Sequence, residues 1–433
     1  MAKPHVLVIP YPAQGHVIPT IELSRRLVEQ GIKVTFVNTE VNHELVTSNW
    51  LDSKDGFGDL MQMISIPDGL EPWEDRSDIC KLTLSILQTM PSKLEELIET
   101  INKEDNSTQV SCVIADACMG WAIKVAKKMG ISGAAFWPAS VATLASILSF
   151  QKLIDDGFIN NKGVPLKDQA IQLSKTMPPI KPQNLGWAGF LDVATIEAFF
   201  QNPVSATVAN RPSARKQREQ SGHFWQEDPT CLTWLDQQQP CSVVYIAFGS
   251  FTIFNKTQFE ELALGLELSN KPFLWVVRPG MTKETTLDYP DGFMERVSSR
   301  GRIVSWAPQQ KVLTHPSVAC FVSHCGWNST LEGVTNGLPF LCWPYFADQF
   351  HNEAYICDIW KTGLRLDKDE AGIITRGEIK SKVEELMSDE TFGVKAKYIK
   401  ENVTNGVRKG GCSHKNLDNF IEWIQEKSID IIA

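Results

Sequence analysis

Val318–Gly333 reads VACFVSHCGWNSTLEG. Its first part, Val318 to Ser323, is short, apolar and rich in strand formers, as expected of a strand buried on both faces. Gly326 then permits a sharp turn, and Asn328, Ser329 and Thr330 are residue types that open helices. A strand, a turn and a helix in immediate succession form the repeating unit of a doubly wound α/β sheet. In such sheets ligands bind beyond the carboxyl ends of the strands. The helix would turn free N–H groups and the positive end of its dipole toward an anion, and a diphosphate is the natural candidate. His324 can add a donor to a phosphate oxygen, and Glu332, one turn in, can accept from a ribose diol.

The same alternation runs outward in both directions. Upstream, strand-like runs occur at Ser242–Gly249, Pro272–Val277 and Gly301–Trp306. The helical patterns Lys256–Ser269, Ser329–Asn336 and Phe350–Trp360 lie between or after these strands. Earlier still come His5–Pro10, Lys33–Asn38, Met61–Ile66, Val110–Ala115 and Ser132–Trp137, separated by helical patterns at Ile18–Gln30, Ile79–Asn102 and Met119–Met129. The C-terminal third is helical, with patterns at Arg376–Met387, Phe392–Thr404 and Ser413–Glu426. A chain of 433 residues exceeds what one core usually serves. The reading is therefore two doubly wound, Rossmann-like α/β domains facing across a cleft. Residues 1–205 form the first and 206–240 a linker. Residues 241–410 form the second domain, which takes the nucleotide, and a final helix at 411–433 packs back toward the first.

Composition excludes several classes. A net charge of -9 argues against a nucleic-acid partner. The one basic cluster, Arg211, Arg215, Lys216 and Arg218, sits among polar residues and reads as a solvated linker. Ten cysteines without a CxxC pair fit free thiols in a reducing compartment. The N-terminal apolar run is too short, and its first proline too early, for a signal peptide. The uncharged stretch Met129–Gln151 is interrupted by Pro138 and reads as a strand followed by a helix opening near that proline, not as a membrane span. A cytoplasmic, soluble monomer is expected. No GxGxxG follows any of these strands, which removes a nicotinamide or flavin oxidoreductase.

Around the opening stretch, Trp306 offers a flat surface on which a base could stack, and Asp348-Gln349 could grip sugar hydroxyls. Two further groups sit at strand ends in the first domain. His16 follows the first strand and Asp116 follows Val110–Ala115, so both should project from one sheet edge into the cleft. An imidazole oriented by a carboxylate is a standard general base.

Trp306–Gln349, WAPQQKVLTHPSVACFVSHCGWNSTLEGVTNGLPFLCWPYFADQ, resembles in full length and without gaps the signature box of plant UDP-dependent glycosyltransferases of family 1. The resemblance implies the two-domain GT-B architecture and an enzyme that moves a sugar from a UDP-sugar donor. It also implies roles for single residues. Trp306 would stack on uracil while the backbone of Ala307 and Gln309 reads the base edge. Glu332 would hold the ribose, and His324, Asn328 and Ser329 the diphosphate. Trp327, Asp348 and Gln349 would contact the sugar, the terminal Gln being similar to glucose-preferring members. Ser250, in the turn after Ser242–Gly249, matches another phosphate contact, and His16 with Asp116 matches the catalytic pair.

The expected reaction is inverting transfer of glucose from UDP-glucose to a hydroxyl or carboxyl of a small lipophilic metabolite, giving a β-glucoside. No cofactor and no metal are expected. The triplet Asp367-Lys368-Asp369 is nominally a metal motif, but it lies in a charged stretch far from the box and reads as a solvated loop. The acceptor pocket is expected from first-domain residues including Met119, Trp121, Trp137 and the segment from Pro182 to Phe190. One departure from the family is visible. Phe199–Pro203 runs almost directly into Ala209–Pro212, where relatives carry a further strand and an Asn, Leu-Glu segment. The expected consequence is loss of the first sheet's last strand. The competing reading is a truncated paralogue that binds UDP-sugar with little or no transfer.

Overall fold

The computed structural model describes residues 4–50, 60–104, 108–188, 191–192, 195–196, 207–209, 224–282 and 289–430. Two parallel six-stranded sheets organise them. The first contains β1 (His5–Ile9), β2 (Lys33–Thr39), β3 (Met61–Ile66), β4 (Cys112–Asp116), β5 (Ser132–Trp137) and β6 (Thr207–Ala209), in the order β3-β2-β1-β4-β5-β6. The second contains β7 (Val243–Ala247), β8 (Phe273–Val276), β9 (Gly301–Val304), β10 (Val318–Ser323), β11 (Phe340–Cys342) and β12 (Gly363–Arg365), in the order β12-β11-β10-β7-β8-β9.

The central strands β1 and β7 are apolar but for His5 at the start of β1, because both faces are covered. In β1, Leu7 and Ile9 join one buried cluster with Ile86, Leu94 and Val113, while Val6 and Val8 join another with Val17, Leu27 and Phe36. In β7, Val244 and Ile246 pack on one side and Val243, Tyr245 and Ala247 on the other. Each such aliphatic side chain contributes about 1.5–3 kcal/mol of burial free energy. The last helix, Cys412–Asp430, crosses back. Its Ile421 and Ile424 are buried among Val6, Val8 and Val34, and Ser428 Oγ lies 3.1 Å from Ser111 Oγ.

Several elements differ from the expectations. The strands β11 and β12 and the helix Glu40–Trp50 carry too little periodic signal to stand out. The first helix starts at Gln14, not Ile18, and so takes His16 into its first turn. The helix after β5 opens at Val141, capped by Ser140, and not near Pro138. The helix expected at Phe350–Trp360 is α-helical over Gln349–Ala354 and widens into a π turn over Tyr355–Ile359.

The first sheet does not lose its last strand. The three residues of β6 pair in parallel with Ala135, Phe136 and Trp137 of β5. The rest of the shortened stretch, and the basic cluster at 211–218, lie outside the described residues, as does Phe190.

Candidate functional site

Parallel strand order reverses once in each sheet, and the functional side chains gather at both reversals. In the first sheet the reversal lies between the adjacent strands β1 and β4, paired through Ile9 and Ala115. In the second it lies between β7 and β10, paired through Ala247 and Ser323. Crossovers leave these neighbouring strands in opposite directions, so a crevice opens beyond their carboxyl ends.

Beyond the first reversal, His16 Nδ1 lies 2.7 Å from Asp116 Oδ2. Asp116 is fully buried as the last residue of β4, and Cys118 N donates to its other oxygen at 2.8 Å. His16 is half-buried, so one side of the ring is left toward the cleft. Burial opposes its protonation, but the charge and hydrogen bond of Asp116, helped by Asp348, outweigh that and raise its pKa above the usual imidazole value. Asp348 belongs to the second domain, and its electrostatic coupling to His16 runs in both directions. The expected base and the expected sugar-binding carboxylate therefore meet across one crevice.

Beyond the second reversal, Gly249 takes φ +66° and leads into Ser250, which is half-buried. The His324 ring fills the space where a Cβ at Gly249 or at Gly326 would stand. Burial pushes its pKa down to about 4, which keeps the imidazole neutral at physiological pH. The helix Trp327–Asn336 follows with Gly326 as its N-cap, and no side chain caps its first turn. Such a turn presents backbone donors and a positive dipole end to an anion. Ser329 and Glu332 lie on the side of this helix facing Gln309, whose amide donates to Ser329 Oγ at 2.9 Å and to Glu332 Oε2 at 2.6 Å. Ala307 is buried, and the Trp306 ring stacks on Trp225 with centroids 4.8 Å apart. Trp327 Nε1 is buried without a partner among the described residues. Asp348 accepts from Asn352 at 2.8 Å, and burial pushes its carboxyl up to about 6. The Gln349 carbonyl accepts from the backbone of Tyr345 and Phe346, so this side chain also fixes the turn before it.

Asn328 makes a contact that its residue type did not announce. Its Nδ2 donates to Gly15 O at 2.7 Å, beside His16. In a helix that carbonyl would receive the N–H of residue 19, but Pro19 has none. The proline thus leaves an acceptor open that the second domain's helix fills.

Other features escaped the sequence reading. Ser146, on the helix Val141–Leu148, and His351, on the helix Gln349–Ala354, meet across the domains at 2.7 Å and are both buried. Trp225 stands in the linker next to Phe224, whose N–H donates to Gln14. Asp367, Lys368 and Asp369 lie on an exposed loop where Asp369 Oδ1 accepts from Ala371 N and Ile373 N. Met119 and Trp121 are buried in a first-domain core cluster, and Trp137 is spent donating to Ser140 O, so none of the three is an open lining. All ten cysteines are free, and no helix among the described residues is long and apolar enough to cross a membrane.

Comparisons with known proteins agree with this geometry. The family model described as UDP-glucoronosyl and UDP-glucosyl transferase matches residues 226–404. UDP-glycosyltransferase 83A1 of Arabidopsis thaliana is 43% identical over 465 aligned positions, covering 99% of this chain and 98% of its own. The 7-deoxyloganetin glucosyltransferase of Gardenia jasminoides is 32% identical, covering 98% of each chain. Among solved structures, Phytolacca americana UGT2 complexed with UDP-2fluoro-glucose and pterostilbene superposes with a TM-score of 0.78 at 26% identity, covering 98% of this chain and 99% of its own. The chain belongs to the plant UDP-glycosyltransferases of family 1, enzymes of GT-B fold that take their sugar from a UDP-linked donor.

Proposed function

We propose that the protein transfers glucose from UDP-glucose to a hydroxyl or carboxyl of a small lipophilic metabolite, with inversion, to give a β-glucoside. The observation that carries this reading is the 2.7 Å His16–Asp116 pair facing Asp348. With Nδ1–H donated to Asp116, the lone pair of Nε2 serves as the base. It takes the proton of an acceptor hydroxyl as that oxygen attacks the anomeric carbon from the face opposite UDP. The carbon–oxygen bond to the β-phosphate breaks, and UDP leaves with the electron pair. The first turn of Trp327–Asn336, His324 and Ser250 stabilise its growing charge, so the reading needs no metal.

Trp306 serves as the uracil platform, with the backbone of Ala307 and Gln309 at the base edge. Ser329 and Asn328 serve the diphosphate, Glu332 the ribose, and Trp327, Asp348 and Gln349 the sugar. Gln309 now occupies Glu332, so a ribose diol would take over that hydrogen bond. The first domain runs a few residues past 205 to take in β6, and the second starts before 240 to take in Cys231 and Leu235, with the linker between them. Ten free thiols suit a reducing compartment such as the cytoplasm, and the reading takes the protein as a monomer. The intact pair and the retained β6 favour turnover over a binding-only paralogue.

The test is His16→Ala, assayed for UDP release from UDP-glucose against a panel of phenols, alcohols and carboxylic acids. A positioned base supplies about 10²–10⁴-fold, and transfer should fall by that factor while UDP affinity stays unchanged. Near-normal transfer by the variant would sink the assignment. Anomeric configuration of the isolated glucoside checks inversion.

A further inference from the structure

Asp116 ends β4 and accepts the backbone N–H of Cys118, which folds the chain back so that the thiol lies beside the carboxylate that orients His16. His16, Asp116 and Cys118 offer one nitrogen, one oxygen and one sulfur ligand atom, all within 4.8 Å of one another. We propose that these three atoms form a site for a thiophilic divalent cation, with Zn²⁺ as the natural occupant, and that occupation switches the base off. The inhibitory half of this proposal rests on the reading of His16 as the base; the ligand set does not.

The donor chemistry decides which ions fit. One imidazole, one carboxylate and one thiolate match the three-ligand sets of open tetrahedral zinc sites, with a fourth position left for water or an acceptor hydroxyl. Mg²⁺ and Ca²⁺ prefer all-oxygen shells of higher coordination and would gain little here. Zinc–ligand lengths of about 2.0–2.3 Å at tetrahedral angles place ligand atoms roughly 3.3–3.6 Å apart. The His16–Asp116 contact of 2.7 Å is shorter than that, and the outer limit of 4.8 Å is longer. Entry of the ion therefore means opening the His16–Asp116 contact and drawing the thiol inward. His16 can move, being half-buried in the first turn of its helix, while Asp116 is held in the sheet.

The inhibitory consequence follows from imidazole chemistry. The ion takes the Nδ1 lone pair in place of the Nδ1–H···Asp116 hydrogen bond. A neutral imidazole bound through Nδ1 carries its proton on Nε2. Nε2 is the atom that must accept the acceptor's proton, so the bound form has no base to offer. The thiol proton of Cys118 leaves to solvent as the Zn–S bond forms, and nothing is oxidised or reduced. In the metal-free protein, burial and the Asp116 charge hold this thiol protonated, well above the usual thiol value. The cation's charge offsets both effects at the moment of binding.

The test uses the full chain and three variants, Cys118→Ala, Cys118→Ser and His16→Ala. Co²⁺ is titrated as the spectroscopic probe and Zn²⁺ as the inhibitor. The wild type should give a thiolate-to-cobalt charge-transfer band that is absent from the Cys118→Ala and His16→Ala difference spectra, the other nine cysteines being common to all. Losing a ligand should weaken zinc inhibition of UDP release at least about tenfold in Cys118→Ala and Cys118→Ser, with metal-free activity kept. Mg²⁺ should produce neither the band nor the inhibition. An equal band and equal zinc sensitivity in Cys118→Ala would overturn the site. A band that requires Cys118 and His16, joined to undiminished transfer in the zinc-loaded wild type, would overturn the switch and leave the ligand set standing.

Discussion

Replacing Gly249 by alanine tests whether His324 is a working part of the donor site. A Cβ at this position would stand 2.7 Å from His324 Nε2 and 2.9 Å from Cε1. A side chain held at φ +66° costs about 1–2 kcal/mol in itself. Pushing the imidazole off its rotamer adds about 0.5–1.5 kcal/mol. The ring has no retreat on its other flank, because it already fills the space above Gly326. A total near 2–3 kcal/mol lowers the melting temperature by several degrees, at about 2–4 °C per kcal/mol for domains of this size.

The ligand effect is separate. A neutral His324 donating to a phosphate oxygen makes a hydrogen bond to a charged group, worth about 1.5–3 kcal/mol. Its loss raises the Kd for UDP roughly tenfold to a hundredfold. Calorimetric titration with UDP, beside thermal unfolding without ligand, reads the two effects independently. A lowered melting temperature with an unchanged UDP Kd would refute the role given to His324, since the ring would have moved without consequence for the nucleotide.

Four other perturbations follow. A raised His16 pKa keeps the ring charged to higher pH, so kcat/KM should climb with pH through a limb above 6.5. Asp116→Asn removes the leading attraction, so it should move that limb down and cut the plateau by about 10²–10⁴-fold; a limb that stays in place denies the coupling. Asp348 is held up at about 6 against an ordinary 3.8, so its ionisation costs stability as pH rises between those values. Asp348→Asn should therefore unfold no earlier than wild type at pH 8 while raising KM for UDP-glucose and sparing UDP affinity; a lost UDP affinity would show the carboxylate acting elsewhere. His351→Leu removes the bond across the domains while Ser146 Oγ keeps Ala142 O as its acceptor, so it should cost about 0.5–1.5 kcal/mol and raise KM for UDP-glucose, with His351→Gln restoring it; unaltered unfolding and KM in the leucine variant would contradict this. His16→Ala, described above, remains the direct test of the base.

Legibility in the sequence tracked the number of constraints on each segment. The strands β1, β4, β7 and β10 are buried on both faces, so apart from His5, Asp116 and Ser323 at their ends the positions are apolar and the run was visible. The three-residue strands β11 and β12 are too short to show a period, and they exist because β10 offers an edge to β11 and β11 in turn offers one to β12. His16 and Asp116 could be placed on one sheet edge because each follows a visible strand, although the distance between them could not. The Ser146–His351 contact left no trace, since a serine on a helix is ordinary and a histidine beside Asp348-Gln349 reads as part of that turn. Only the packing of one domain on the other joins them. Trp225 was hidden for a different reason: a tryptophan in a polar linker has no periodicity, and its partner is set by tertiary stacking.

Pro19 shows how one backbone feature links the two halves of the site. A proline in the sixth position of a helix removes one internal hydrogen bond and usually weakens the helix. Here the acceptor it abandons, Gly15 O, points at the crevice and receives Asn328 Nδ2 from the helix that caps the donor diphosphate in the proposed reading. Gly15 immediately precedes His16, so the helix Trp327–Asn336 is fastened one residue from the proposed base. Among the described residues, Gly15 has only the Asn328 amide near the place of its absent Cβ, at 3.9 Å. The arrangement makes the position of the base depend on the seating of the donor helix, without a shared side chain. In the proposed reading Asn328 then stands between nucleotide and base: it holds a carbonyl of the helix that carries His16 while its own helix faces the leaving group. A residue assigned only to phosphate binding from its place in the box thus has a second role, and the reason is a missing N–H three residues after the base.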